Sequence, residues 1–287
     1  MSEMHVVGLV PHVDRPEAHA IAKRAADWLR AQGIEPRVPS QFASDCGLDD
    51  YAAPDATFAD GLDLVVSIGG DGTMLHTVQL VYPRPVPILG VNVGQLAYLS
   101  EIEPGELDEW LPKLVDGQFE VSERMVLSVE VTSSGPAAGT WYALNETVLE
   151  KQRSGHMIRL DVRINGTPFT SYAADGVIVA TPTGTTAYSF SARGPIVSPA
   201  LRCILLTPLS PHMLFDRSLV LDEGEELEFV VCEARPVEMT IDGRELGSLT
   251  GGDRVVCRAA PEPVRFASVR PRDFHQILKS KFDLPDR

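Results

Sequence analysis

Leu62-Asp63-Leu64-Val65-Val66-Ser67-Ile68-Gly69-Gly70-Asp71-Gly72-Thr73 is the stretch whose reading decides the fold. Leu62 to Ile68 is an apolar run rich in β-branched residues, the pattern of a strand buried on both faces of a parallel sheet. It ends directly in two glycines, and a helical pattern begins near Thr73. A buried strand feeding a glycine turn and then a helix belongs to a βαβ unit, so this part of the chain is α/β. Glycines there let the backbone approach a ligand, and free amides at the start of a helix can cradle a phosphate. The turn is not G-x-G-x-x-G, because the third glycine is missing, and no Gly-Lys-Ser/Thr follows to make a Walker A loop. A plain turn capped by Asp71 is the simpler alternative. A carboxylate among phosphate-binding amides, however, has a chemical purpose only if it takes a proton or meets a metal, which makes Asp71 the first candidate base.

Working outward, His5 to Val10 reads as a strand, and Ala18, Ile21, Ala22, Ala25 and Leu29 recur at helical spacing. Asp14 and Glu17 have the spacing of a capping box, Gly33 stops the helix, and Ile34 to Val38 forms the next strand. Gln41 to Asp60 is acidic and broken by Gly47 and Pro54, a loop with room for a short helix. Val86 to Val91 gives another buried strand, and Leu107, Leu111 and Leu114 a helix that closes this half near Asp116. From Phe119 the period changes to alternation. Val126 to Val131, Tyr142 to Leu149, Ile158 to Ile164 and Val177 to Ala180 read as strands, with Asn165-Gly166 a hairpin turn. Shorter strands are expected at Ile204 to Leu206, Leu227 to Val231, Val237 to Ile241 and Val255 to Cys257. Phe274, Ile277, Leu278 and Phe282 form a last amphipathic stripe.

At 287 residues the chain has room for two domains at about 150 residues each. Its 44% apolar and 23% charged content excludes a disordered or low-complexity protein. A net charge of −15 repels a phosphate backbone, so nucleic acid is not an expected partner. No basic leader precedes an apolar run, and no run reaches the roughly 18 residues of a membrane span, so a cytoplasmic, membrane-free protein is expected. Cys46, Cys203, Cys232 and Cys257 lie far apart and read as reduced, mostly buried thiols. His5, His12, His19, His212 and His275 show no metal-ligand spacing and are taken as structural or surface residues, and no protein metal site is expected.

Asn145 and Glu146 interrupt an otherwise apolar strand pattern. A water-facing edge position would explain them, but an adjacent amide and carboxylate also suit the vicinal hydroxyls of a ribose. Asp175-Gly176 precedes the strand that runs into TPTGTTAYSFSARGP, Thr181 to Pro195. Its small hydroxyl residues let the chain lie close to a flat ligand, and Tyr188 can stack on a base. A purely structural loop is the alternative, and one that long is uncommon in a compact domain.

Together, Gly69 to Thr73, Leu144-Asn145-Glu146, Ala174-Asp175-Gly176, the Thr181 to Pro195 segment and Ile241-Asp242-Gly243-Arg244 make the chain resemble the NAD kinase family over most of its length. The resemblance implies a Rossmann-like α/β N-terminal nucleotide-binding domain, a β-rich C-terminal domain supplying much of the NAD site, and a C-terminal segment returning to the first domain. On this chain those are residues 1–118, 119–265 and 266–287. It also implies transfer of a phosphoryl group from ATP or polyphosphate, with a divalent cation (Mg2+ or Mn2+), to the adenosine ribose 2′-hydroxyl of NAD, giving NADP.

By the same resemblance Asp71 is the proton acceptor, Gly70, Gly72 and Thr73 hold phosphates, and Asn145 and Glu146 fix the ribose. Asp175, Thr186, Ala187, Tyr188 and Ser191 line the dinucleotide pocket, with His76 and His156 as further contacts. A homodimer or homotetramer is implied as well. Ala173, Arg193 and Arg244 depart from the family's usual basic residue, glycine and glutamine, and bear on donor choice, NAD against NADH preference and oligomer contacts. Lys151, Arg153 and Arg159 can help neutralise phosphates, although such charges are mostly a solvated face.

A lipid kinase or a phosphofructokinase-like sugar kinase could share the glycine turn, but Asn145-Glu146 and the Thr181 segment argue against both, and no membrane-facing segment stands out. A dinucleotide sensor that lost transfer is the non-enzyme alternative, disfavoured by the retained Asp71.

Overall fold

The protein was analysed as a computed structural model, which describes residues 4–94, 97–232, 235–270 and 273–285. It divides into two compact units, Met1–Glu123 with Val264–Arg287, and Arg124–Pro263.

The first unit is built on a seven-stranded sheet. Its strands are β1 (Val6–Pro11), β2 (Glu35–Pro39), β3 (Ala52–Ala53), β4 (Leu64–Gly69), β5 (Ile88–Asn92), β6 (Glu120–Arg124) and the last strand of the chain, β19 (Val264–Ser268). Their order is β3-β2-β1-β4-β5-β19-β6. β1 pairs in parallel with β2 and β4, and β5 in parallel with β4 and β19. All six residues of β4 are buried, as its unbroken apolar pattern requires of a strand covered on both faces.

Helix α1 (Pro16–Ala31) carries the chain from β1 to β2 and buries Ala18, Ile21, Ala22, Ala25, Ala26 and Leu29, the stripe read from spacing. The expected Asp14–Glu17 capping box does not form. The helix begins at Pro16 after Arg15 without a side-chain cap, because proline presets the first turn and needs no N–H partner. Between β2 and β4 lie α2 (Ser40–Cys46) and α3 (Asp55–Phe58), two short helices where a loop with one short helix was allowed for. Helix α4 (Asp71–Val81) connects β4 to β5 and starts two residues before Thr73. Helix α5 (Leu107–Val115) buries Leu107, Leu111 and Leu114.

β1 and β4 lie side by side while their crossovers run to opposite sides, β1 to β2 and β4 to β5. Ligands bind α/β sheets at such a switch point, beyond the carboxyl ends of the strands.

The second unit holds two six-stranded sheets. One comprises β7 (Leu127–Thr132), β8 (Gly139–Ala143), β10 (Ile158–Ile164), β11 (Thr167–Ala174), β15 (Leu227–Val231) and β18 (Arg254–Ala259), in the order β11-β10-β15-β18-β7-β8. The other comprises β9 (Glu146–Lys151), β12 (Gly176–Ala180), β13 (Cys203–Leu209), β14 (Leu219–Asp222), β16 (Val237–Ile241) and β17 (Arg244–Leu249), in the order β14-β13-β12-β9-β16-β17. Alternating side chains from both, among them Leu127, Val129, Leu160, Tyr172, Val179, Leu206, Phe229 and Met239, form one core. Asn165 and Gly166 both take positive φ, the hairpin geometry that Asn-Gly favours. The expected strand Tyr142 to Leu149 is two strands, broken at Leu144-Asn145.

Helix α6 (Tyr188–Ser191) follows a 3₁₀ turn at Thr183–Thr186, so the Thr181 to Pro195 segment is partly helical. The last helix, α7 (Phe274–Lys281), belongs to the first unit. Phe274, Ile277 and Leu278 of its expected stripe are half-buried and Phe282 is exposed. Of the four cysteines only Cys232 is exposed, and none is disulfide-bonded. Among the described residues, no helix is long and apolar enough to cross a membrane.

Candidate active site

In the first unit, Gly70, Asp71, Gly72, Thr73 and His76 line a cavity of about 760 Å3 at the carboxyl ends of the strands. The glycines of the turn have different reasons. A Cβ on Gly69 would lie 2.2 Å from Thr73 Oγ1, so this residue lets α4 pack against β4. A Cβ on Gly70 or Gly72 would meet nothing within 4 Å. Packing therefore does not require those two, and they leave the backbone at the start of α4 open to the cavity. The first amides of a helix lack intrahelical acceptors and attract anions.

Asp71 is half-buried. Its Oδ2 accepts the Tyr98 N–H at 3.0 Å and its Oδ1 the Leu99 N–H at 2.9 Å. Each carboxylate oxygen keeps a further lone pair, so the two amides orient the group without using up its capacity to accept.

Sequence reasoning missed the rest of the cavity lining, including its four polar or aromatic members Arg15, His12, Gln41 and Phe42. Arg15 lines it, donates to the Val93 carbonyl and adds a fixed positive charge. His12, taken as structural or surface, also lines it, and its Nδ1 accepts the Asp14 N–H at 3.1 Å. Its position directly after β1 was the available signal, since the switch-point rule singles out that strand end. Gln41 and Phe42 come from α2. The Gln41 amide lies 3.1 Å from His76 Nε2, and the Phe42 ring meets the His76 ring edge-on at 5.6 Å.

In the second unit, Asn145 ends the break before β9 and Glu146 opens that strand, which lies in the sheet interior between β12 and β16. Both are buried, so the edge-strand explanation fails. Asp242, in the turn after β16, accepts the N–H groups of Leu144, Asn145 and Glu146 at 2.8, 2.8 and 3.1 Å. Glu146 accepts the Tyr188 N–H, while its Oε2 is buried without a hydrogen-bond partner. Burial first, and the neighbouring Asp242 charge second, push the Glu146 carboxyl up to about 8.

Thr181 donates through its hydroxyl to Leu144 O at 2.5 Å and through its amide to Asn145 O at 2.9 Å. The 3₁₀ turn then passes so close that a Cβ on Gly184 would lie 2.1 Å from Asn145 O. This contact brings Thr186, Ala187 and Tyr188 to the Asn145–Glu146 break. Ser191 ends α6 and is exposed. The Tyr188 side chain bonds Glu150, and Asp175 pairs with Lys151 at 2.6 Å. His156 lines a separate depression of about 330 Å3 with Lys151, Arg153 and Arg235.

The departures also have places. Arg193 takes φ +63°, a left-handed position at which glycine carries no Cβ penalty. Arg244 lies over the Trp141 ring at 5.7 Å, and the Ala173 carbonyl accepts the His212 N–H.

Residues 7–119 match the family model of the ATP-NAD kinase N-terminal domain, and residues 144–269 that of the ATP-NAD kinase C-terminal domain. An NAD kinase of Heliobacterium modesticaldum is 36% identical, over 97% of this chain and 98% of that one. One from Syntrophotalea carbinolica is 34% identical over 99% and 100%. Among solved structures, a yeast NADH kinase complexed with NADH superposes with TM-score 0.91 at 24% identity, covering 100% of this chain and 90% of that one, a likeness of fold. An NAD kinase from Archaeoglobus fulgidus in complex with ATP gives TM-score 0.74 at 26% identity, over 97% and 98%. With relatives this similar along nearly its whole length, the chain belongs to the NAD kinase family.

Proposed function

We propose that the chain phosphorylates the adenosine ribose 2′-hydroxyl of NAD, with ATP or polyphosphate as donor, to give NADP. The observation that carries this reading is the cavity at the head of α4, where open backbone at Gly70 and Gly72 surrounds the Asp71 carboxylate. Phosphoryl transfer needs donor phosphates held in place and a group to take the hydroxyl proton. Gly70, Gly72 and Thr73 fill the first role, with Arg15 neutralising charge. Asp71 fills the second through a free lone pair.

Asn145 and Glu146 hold the ribose, Glu146 through its unpartnered Oε2. Asp175, Thr186, Ala187, Tyr188 and Ser191 line the dinucleotide site, and His76 and His156 serve as further dinucleotide contacts. Among the described residues, no group of three or more His, Cys, Asp or Glu could hold a metal ion. The divalent cation of this reading would accompany the donor phosphates and supply charge neutralisation there, and the Asp71 carboxylate lines the same cavity. A cytoplasmic homodimer or homotetramer completes the proposal, and the unbonded thiols favour a reducing compartment.

The test is NADP formation from NAD, ATP and Mg2+, followed by chromatography, with Asp71→Asn beside the wild type. Wild-type protein should form NADP. Asp71→Asn should turn over at least about a hundredfold more slowly with NAD affinity changed much less, since general-base assistance contributes about 10²–10⁴-fold. NAD binding without product in the wild type would favour the dinucleotide sensor, and near-normal turnover of Asp71→Asn would remove Asp71 as base.

A further inference from the structure

The start of β9, paired with β12 at Glu146, would be a weak place on its β16 side without outside help. Pairing between β9 and β16 ends at Thr147 opposite Ile241, one residue short of Glu146. Beyond that point the Asp242 side chain takes over, its two oxygens accepting three consecutive amides, those of Leu144, Asn145 and Glu146. The Asp242 N–H returns a bond to Glu146 O at 3.0 Å. A carboxylate thus stands in for strand backbone and extends the ladder past its end. Asp242 takes φ +48° in a two-residue turn with Gly243, a position that Asp tolerates and that lets its side chain fold back over β9. Glu146 sits directly beneath, with Oε2 buried and unpartnered.

We propose that Asp242 is a positioning residue for the dinucleotide substrate, fixing the Leu144–Glu146 backbone so that Glu146 Oε2 is left for a ribose hydroxyl. This rests on the reading that Asn145 and Glu146 hold the ribose. Asp242 itself touches no substrate in this arrangement, because its acceptors face the three amides. Replacing it by Asn puts an amide donor against those N–H groups and removes the charge, which frees the turn to shift.

The experiment is steady-state kinetics with NAD and ATP–Mg2+ for Asp242→Asn, Glu146→Gln and the double variant. Asp242→Asn should raise the NAD KM by about tenfold or more while the ATP KM stays within about twofold, the scale expected for lost charge-assisted hydrogen bonds. Glu146→Gln should do the same, and the double variant should be little worse than either, as for residues acting through one another. A purely structural residue would instead lower the active fraction, reducing turnover at unchanged NAD KM, and that result overturns the proposal. So does multiplication of the two effects. If Glu146→Gln leaves the NAD KM unchanged, the ribose reading falls and this inference with it. If Glu146→Gln weakens NAD and Asp242→Asn does not, only this inference falls. Should Asp242→Asn fail to unfold cooperatively, Asp242→Ser takes its place. If neither folds, Asp242 belongs to the fold and not to the site, and the proposal is wrong.

Discussion

Glu146 and Asp242 bring two carboxyl groups together, and their surroundings separate them. Glu146 is raised to about 8, by burial and then by the Asp242 charge, against one opposing amide. Asp242 is raised only to about 6, because three amides offset its desolvation. Of the two, Asp242 is therefore the stronger acid in the ligand-free protein. A carboxyl that titrates near 4.5 when unfolded and near 8 when folded contributes stability below the lower value and loses it as pH rises towards the higher. The ligand-free wild type should lose stability between about pH 5 and 8 relative to Glu146→Gln, on the order of a few kcal/mol, seen as a lower melting temperature. Parallel thermal scans of the two proteins across that range measure it. Superimposable profiles would mean that Glu146 is ionised throughout. In the sequence, Asn145 and Glu146 were visible because polar residues broke an apolar pattern. Asp242 was visible only as part of the Ile241 to Arg244 motif, and its role was not, since Asp-Gly after a strand reads as an ordinary hairpin turn and its partners lie 96 to 98 residues away.

Elements with a strong period were legible, and those whose surroundings define them were not. β15 and β16 fall where alternation put them, and α1 buries the stripe its spacing announced. The seven-residue α2 is too short to show a period, although it buries Phe42, Ala43 and Cys46 and supplies Gln41 and Phe42 to the cavity. β6 has Val121 as its one apolar residue and none that is buried, so no pattern marks it. The 3₁₀ turn at Thr183–Thr186 depends on a contact that no local pattern encodes, the seat of Gly184 against the Asn145 backbone. Because the obstructing atoms are backbone, Gly184→Ala should push the turn off the β9 break. We expect a loss of about 1–3 kcal/mol in stability, the usual cost of overpacking, with weakened NAD binding in the folded fraction. Denaturant titration and calorimetric NAD binding on one preparation check both. Unchanged values would mean that the turn relaxes freely and does not set the site.

Across the whole molecule, the second unit leaves several large apolar side chains in water, including Phe169, Leu201, Leu214, Phe215 and Val220. Phe169 lies on β11 and Val220 on β14, both edge strands, whose unpaired backbone favours association. Light scattering at micromolar concentration should give the mass of a dimer or tetramer, and a monomer mass persisting with NAD would remove self-association from the proposed function. The first unit has another property at this scale. Its sheet takes β19 between β5 and β6, so β6 has no neighbour on that side until Val264–Ser268 has been made. Chains emerge from the ribosome at about 5–20 residues per second and domains tend to fold in that order. Here the domain that starts first finishes last. The half-sheet β3-β2-β1-β4-β5 must wait, with β5 exposed along one edge, while the entire second unit is translated. A chain stopped before Val264 would thus lack an interior strand of its first domain despite carrying every residue of the glycine turn.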